Sequence, residues 1–253
     1  MNVQKNLLQT KEKKGAGYLV LIDPDKQPVE EAVRLAGLCE QGGVDALLIG
    51  GSLLFSHLFD DLIKAIKERC SLPLIIFPGS TRQLSPYADA ILFISLISGR
   101  NPTHLISDQV FAAPIIRSMN LEAISTAYMF VESGNATSAQ FLSDTQPLPR
   151  KKPEIAMAHA MAAEYLGFKL IYLEAGSGAR QSVPESMIHA INNSCSLPMI
   201  VGGGIRTPEE AAAKVQAGAG FIVTGNILEK HRDLGLIQAF SQAIHYKETA
   251  LLS

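Results

Sequence analysis

The sequence contains no tryptophan, only three cysteines, no block of like charge and no long apolar run. Each absence excludes something. Cys39, Cys70 and Cys195 are scattered without CxxC spacing, which argues against a disulfide framework or a thiolate zinc site and reads as reduced thiols in a cytoplasmic protein. Lys and Arg number 22 against 24 Asp and Glu, a net charge of -2, so the chain offers no global field for nucleic acid. No apolar stretch reaches the roughly 20 residues of a membrane span. The opening "MNVQKNLLQTKEKKG" lacks the apolar core of a signal peptide. What is present, 47% hydrophobic and 18% charged residues in 253, suits a globular chain long enough for a large core. A mean hydropathy of +0.16 leaves room for an apolar groove or a subunit interface.

Eight short apolar runs recur along the chain: 17–23, 46–51, 72–79, 90–96, 123–130, 168–174, 197–203 and 219–225. Their weak alternation suits parallel strands covered on both faces. Helical patterns lie between them at Pro28–Cys39, Phe59–Arg69, Leu105–Met119, Pro153–Leu166, Pro184–Asn193, Pro208–Ala217 and Leu234–Tyr246. Four of these open on proline, as a first helical turn allows. The pattern predicts one α/β domain over residues 1–253, a (β/α)8 TIM barrel. The stretch "STRQLSPYAD" (80–89) is too short and turn-like for a full third helix, which is expected to be reduced or replaced. The alternative, a doubly wound open sheet, calls for a GxGxxG turn after the first strand; "DPDKQP" stands there instead.

A barrel carries its chemistry at the C-terminal strand ends. Those ends are rich in glycine: Gly50-Gly51-Ser52, Pro78-Gly79-Ser80, Glu174-Ala175-Gly176-Ser177-Gly178, Gly202-Gly203-Gly204 and Gly225-Asn226. Phosphate sites in barrels commonly use the loops after strands seven and eight, so Gly203, Gly204, Gly225 and Asn226 are the candidate anion contacts. The competing reading is that these glycines only make tight turns. Asp23, at the end of the first strand, and Ser52, on the next rim, suit a hard cation such as magnesium; alternatively "DPD" is a turn with Asp25 capping the first helix. His57, His104, His159 and His189 lack paired ligand spacing and read as surface or packing residues. Arg100 and Arg206 stand at rims, where a phosphate contact and a salt bridge compete. A phosphosugar isomerase or aldolase, and a non-catalytic phosphate-binding barrel, remain alternatives. The first usually needs a strand-end lysine or a pair of aspartates, and the second gives no reason for a glutamate at 174.

Taken together, "LIDPDK", "GGS", "FPGS", "YLEAGSGA", "GGGIRTPEEA" and "TGNI" resemble the geranylgeranylglyceryl phosphate synthase family, also called PcrB-like, from about Gly17 to Glu229. The resemblance implies a magnesium-dependent prenyltransferase that joins the C3 hydroxyl of sn-glycerol 1-phosphate to a polyprenyl diphosphate, usually geranylgeranyl, and releases diphosphate. It implies Asp23 and Ser52 as magnesium ligands. It implies Tyr172, Leu173, Glu174, Ala175, Gly176, Ser177, Gly178, Gly203, Gly204, Gly225 and Asn226 as glycerol phosphate contacts. The heptaprenyl-using branch carries a lysine two residues before the Asp-Pro; Leu21 stands there, so the chain is similar to the larger "DPDK" branch of dimers and hexamers. Transient contact with a membrane surface fits a lipid product. Within this reading Glu174 is the general base for the C3 hydroxyl, and Gly176 and Gly178 are slim so that substrate can lie against the backbone. The runs "IIFPGS" and "AILFISLISG" line a prenyl groove that leaves sideways where the third helix is missing, with no indole to block it.

Overall fold

The apolar runs become eight strands: β1 (Gly17–Ile22), β2 (Ala46–Ile49), β3 (Leu74–Ile76), β4 (Ala90–Leu96), β5 (Glu122–Phe130), β6 (Leu170–Glu174), β7 (Met199–Gly202) and β8 (Phe221–Thr224). In the computed structural model, which describes residues 2–247, they form a closed parallel barrel in chain order. Closure rests on β1 and β8, which pair Gly17 with Phe221 through Val20 with Thr224. Met1 and residues 248–253, included in the single-domain expectation, lie outside the described residues.

Strand alternation sorts the side chains into two cores. Leu19, Leu48, Ile75, Leu92, Ile124, Leu170, Ile200 and Phe221 fill the barrel interior. Val20, Leu47, Ile76, Ile171, Val201 and Ile222 point outward into the layer shared with the helices. Those helices are α1 (Val3–Lys14), α2 (Val29–Gln41), α3 (Phe59–Lys67), α4 (Asp108–Ser118), α5 (Ser138–Ser143), α6 (Pro153–Tyr165), α7 (Glu185–Asn192), α8 (Pro208–Gln216), α9 (Asn226–His231) and α10 (Leu234–Ile244). Pro153 and Pro208 open their helices from the first turn, whereas Pro28 and Pro184 stand one residue earlier, at the cap. A π-helical turn, Thr103–Ser107, leads into α4. Among the described residues no helix is long and apolar enough to cross a membrane.

Between β3 and β4, residues 77–89 form only turns and bends, so the third helix is absent, as the short turn-like stretch predicts. Three helices were not anticipated. The short α5 and α9 sit inside connections, and α1 carries too few apolar residues to show a clear period. Asn2 caps α1 by accepting the Lys5 N–H at 2.8 Å, and Gly15, at φ 94°, ends it. Its only buried side chains are Val3 and Leu7, one turn apart, and they plug the barrel interior. Glu122, the first residue of β5, accepts the Val3 and Gln4 N–H groups at 2.6 and 3.0 Å, an anion placed on the positive end of the helix.

This anchor should be measurable. Glu122→Ala leaves two N–H groups without their charged acceptor and is expected to cost about 2 kcal/mol, read as a lower urea midpoint at unchanged slope. A midpoint equal to the parent's would mean that α1 is held by Val3 and Leu7 alone.

Candidate functional site

The C-terminal ends of the strands open into a cavity of about 570 Å³. Asp23, Ser52, Tyr172, Glu174, Gly176, Ser177, Gly178, Gly203, Gly204, Gly225 and Asn226 all line it. Leu173 and Ala175 do not. Both alternate with Tyr172 and Glu174 along the chain, so their side chains turn outward into the helix-facing core. Any contact they make with a ligand is through the backbone.

Glu174 is 7% exposed. The Gly176 N–H donates to its Oε1 at 2.6 Å. Burial pushes its carboxyl up to about 7, against the opposing pull of that N–H and of the nearby Tyr172 hydroxyl. The Tyr172 hydroxyl is itself buried at the cavity wall, beside the Glu174 carboxylate. The inward position of β7 is Gly202. A Cβ there would lie 2.7 Å from the Tyr172 hydroxyl and 3.0 Å from Glu174 Oε2. Gly203, at φ 81°, is as constrained, since its Cβ would stand 2.3 Å from Glu174 Oε1. The glycines of β7 are therefore slim because the carboxylate of β6 packs on them. Gly176 lines the cavity and is constrained elsewhere as well: an added Cβ would strike the Thr137 side chain at 2.6–2.9 Å, so its slimness also serves packing against the β5–α6 connection.

The rims after β6 and β8 are joined. Asn226 Nδ2 donates to Ser177 Oγ at 3.1 Å. The Lys26 ammonium donates to Asn226 Oδ1 at 2.6 Å and pairs with Asp23 at 3.4 Å and Glu229 at 3.2 Å. In the sequence the "DPDK" turn marks Lys26, and nothing marks Glu229. Arg206 donates to the Ala179 and Arg180 carbonyls at 2.6 and 3.1 Å and pins the β6 loop. Arg100 closes its own turn on the carbonyls of Ile97, Ser98 and Gly99. Of the two arginines, Arg206 lines the cavity and Arg100 does not.

On the adjoining rims of β1 and β2 the Asp23 carboxylate packs against Gly51, where a Cβ would lie 3.0 Å from Oδ1, and Ser52 follows directly. One carboxylate and one hydroxyl facing a cavity fit a hard divalent ion that completes its shell with water and phosphate oxygens. Two further residues shape this rim. Asp25 accepts the Phe55 and Ser56 N–H groups at 2.6 and 2.8 Å and so holds the loop bearing Ser52. The cap of α2 is Pro28, without a side-chain bond, so Asp25 does not cap that helix. Gln83, fully buried, donates to the Gly51 carbonyl at 2.7 Å and accepts the Gly51 and Gly79 N–H groups. It staples the second and third rims where the missing helix leaves them unsupported.

From this mouth the cavity runs past Phe77 and Leu84, over Phe93 and Ile94 of β4, to Ala112 and Ile116 of α4. Phe93 lies on the outward face of β4 and is packed against the helix-facing core, so the groove passes through the layer a third helix would have filled. Its floor is aromatic. Tyr172 stacks on Tyr128 with centroids 5.5 Å apart, and Phe77 meets Tyr172 at 4.9 Å. The apolar run "IIFPGS" marks Phe77 in the sequence, whereas Tyr128 and Phe130 read there only as strand residues.

The raised pKa of Glu174 sets a stability expectation. A carboxyl whose folded value stands at about 7, above its ordinary 4.5, binds its proton more tightly in the folded chain. That contribution is fully present below the ordinary value and is lost as pH rises through the folded one. Glu174→Gln removes the buried charge, so at alkaline pH it should be more stable than the parent by on the order of 3 kcal/mol. The gap should close as the solution is acidified. Parallel stability curves from acid to alkali would contradict the burial of an ionisable Glu174.

Residues 8–244 match the family model described as the PcrB family. A geranylgeranylglyceryl phosphate synthase of Chitinophaga pinensis is 42% identical over 96% of this chain and 96% of its own length. The enzyme of the same name from Pyrococcus furiosus is 47% identical over 84% of each. The crystal structure of (S)-3-O-geranylgeranylglyceryl phosphate synthase from Thermoplasma acidophilum, in complex with its substrate sn-glycerol-1-phosphate, superposes with a TM-score of 0.92. It is 38% identical, with 97% of this chain and 99% of that one covered. With its barrel, its rims and its Glu174 loop in place, and with this level of identity along nearly its whole length, the chain belongs to the PcrB family.

Proposed function

We propose that the protein is a geranylgeranylglyceryl phosphate synthase, a prenyltransferase that joins the C3 hydroxyl of sn-glycerol 1-phosphate to geranylgeranyl diphosphate. The carrying observation is Glu174: a buried carboxylate, held by the Gly176 N–H and facing the cavity between the glycine rims and Asp23. The glycerol phosphate binds with its phosphate on the backbone of Gly203, Gly204, Gly225 and Asn226, and its hydroxyls reach back toward Glu174 and the Tyr172 hydroxyl beside it. The donor lays its diphosphate toward Asp23 and Ser52 and its tail along Leu84, Phe93 and Ile116. Asp23 and Ser52 would hold a magnesium ion, which would supply charge stabilisation to the leaving diphosphate.

In the reaction the C3 oxygen forms a bond to C1 of the prenyl chain. The C1–oxygen bond to diphosphate breaks, and its electron pair leaves with the diphosphate. Glu174 takes the hydroxyl proton, and its value near 7 suits a general base at neutral pH. The apolar walls and the Phe77, Tyr128 and Tyr172 rings keep water from the allylic carbon and offer π faces to its developing charge. A phosphosugar isomerase or aldolase finds less support, because Lys26 is committed to two carboxylates and an amide rather than poised as a nucleophile. The enzyme acts in the cytoplasm with transient contact to the membrane surface. It is a homo-oligomer, dimer or hexamer; the exposed Phe111 and Ile115, one turn apart on α4, support an interface there.

Incubation with radiolabelled glycerol 1-phosphate, magnesium and a series of prenyl diphosphates should give organic-extractable label. None with any donor would overturn the assignment. Glu174→Gln should lower kcat by about 10²–10⁴-fold with little change in the KM for the donor, and should abolish the acidic limb of kcat/KM, which the parent should show near neutral pH. A Glu174→Gln enzyme within about threefold of the parent kcat would remove the base from this position.

Asp23→Asn should raise the magnesium concentration needed for half-maximal rate while glycerol phosphate binding, followed by calorimetry, is largely kept. Full activity of this variant in the presence of a chelator would exclude Asp23 as a ligand.

A further inference from the structure

Lys26 stands at the seam where the β1 and β8 rims meet. Its ammonium donates to Asn226 Oδ1 at 2.6 Å and approaches Ser177 Oγ at 3.5 Å on the glycine-rim side. On the other side it pairs with Asp23 Oδ2 at 3.4 Å. Glu229 steadies it from α9: one carboxylate oxygen lies 3.2 Å from the ammonium, and the other accepts the Asp23 N–H at 3.2 Å. The Glu229 side chain is only 9% exposed, whereas that of Lys26 is 38% exposed and lines the cavity. A buried carboxylate is costly without a compensating charge. Here that charge is placed where the two rims meet.

The proposed reaction brings together two multiply charged anions, a phosphomonoester and a diphosphate. Both must sit near one carboxylate base, at the edge of an apolar cavity that screens charge less than water does. Anions so placed repel, and each would weaken the binding of the other.

We infer that Lys26 bridges the two bound anions, so that its ammonium offsets their repulsion and lets both substrates occupy the site together. Glu229 is its positioning residue, holding the ammonium at the junction before either substrate arrives. This inference rests on the reading of the site as one for two phosphorylated substrates, and it assigns Lys26 to the coupling between them rather than to either alone.

Calorimetric titration of the full chain with glycerol 1-phosphate in magnesium, with and without saturating inorganic pyrophosphate, tests it. In the parent, pyrophosphate should change the glycerol phosphate Kd by less than about threefold. In Lys26→Met, loss of a cationic contact should weaken glycerol phosphate binding even without pyrophosphate, and pyrophosphate should raise the Kd by more than about tenfold beyond that, a coupling of ordinary allosteric size. Lys26→Arg should restore the parent behaviour. Glu229→Gln, which leaves Lys26 in place but unsteadied, should show the same antagonism in weaker form, and it carries the test if Lys26→Met does not fold. Kinetics should agree: at saturating donor the KM for glycerol phosphate rises in Lys26→Met by about the coupling factor. Equal losses with and without pyrophosphate would make Lys26 a simple phosphate contact, and a variant like the parent would give it no role; either result overturns the inference. If the parent itself binds neither glycerol phosphate nor pyrophosphate, the functional reading fails instead.

Discussion

Closure of the sheet between β8 and β1 is the constraint on which the rest depends. The ladder from Gly17–Phe221 to Val20–Thr224 sets the first rim beside the last. Only then does Lys26 reach Asn226, 200 residues away, and only then does the Asp23 N–H meet Glu229. An open sheet of the same strands would leave Asp23 on one edge and Gly225 on the other. The site is therefore a property of the seam as much as of any motif, and the plug formed by α1 at the opposite end of the barrel stabilises the same closed form.

Within that frame, Glu174 concentrates the tension between stability and chemistry. Its carboxylate is kept from water by β7, whose Gly202 and Gly203 leave no side chain between it and the cavity wall. Burial makes the charged form costly and thereby raises its proton affinity toward neutrality. The energy that disfavours the ionised group in the folded chain is the same energy that makes it a stronger base. Such conflict is characteristic of functional sites.

The missing third helix has a comparable double effect. It removes cover from β3 and β4 and opens a passage past Leu84 and Phe93 toward Ile116. It also leaves the second and third rims without a helix behind them, and Gln83 takes over that support through three backbone hydrogen bonds. A polar side chain buried to this degree is stable because each of its bonds goes to the rims it joins. The groove and the cation rim are thus linked: the same short segment, residues 77–89, shapes both.

By itself the sequence determined the barrel, its eight strands, the lost helix and the rim residues. Each of these is written in local terms, as apolar runs, prolines at helix starts and glycines at strand ends. It also carried the alternation that turns Leu173 and Ala175 away from the cavity, although the motif drew them in with their neighbours. Three helices escaped because α1 has only two buried apolar contacts and α5 and α9 are six residues each. Only the tertiary structure decided the pairing of Lys26 with Glu229, the staple made by Gln83, the aromatic floor under Glu174 and the contact of Gly176 with Thr137. Every one of these joins groups far apart in the chain, or depends on a packing distance of a few ångströms. Closure of a parallel barrel fixes such distances, and the order of residues along a strand does not.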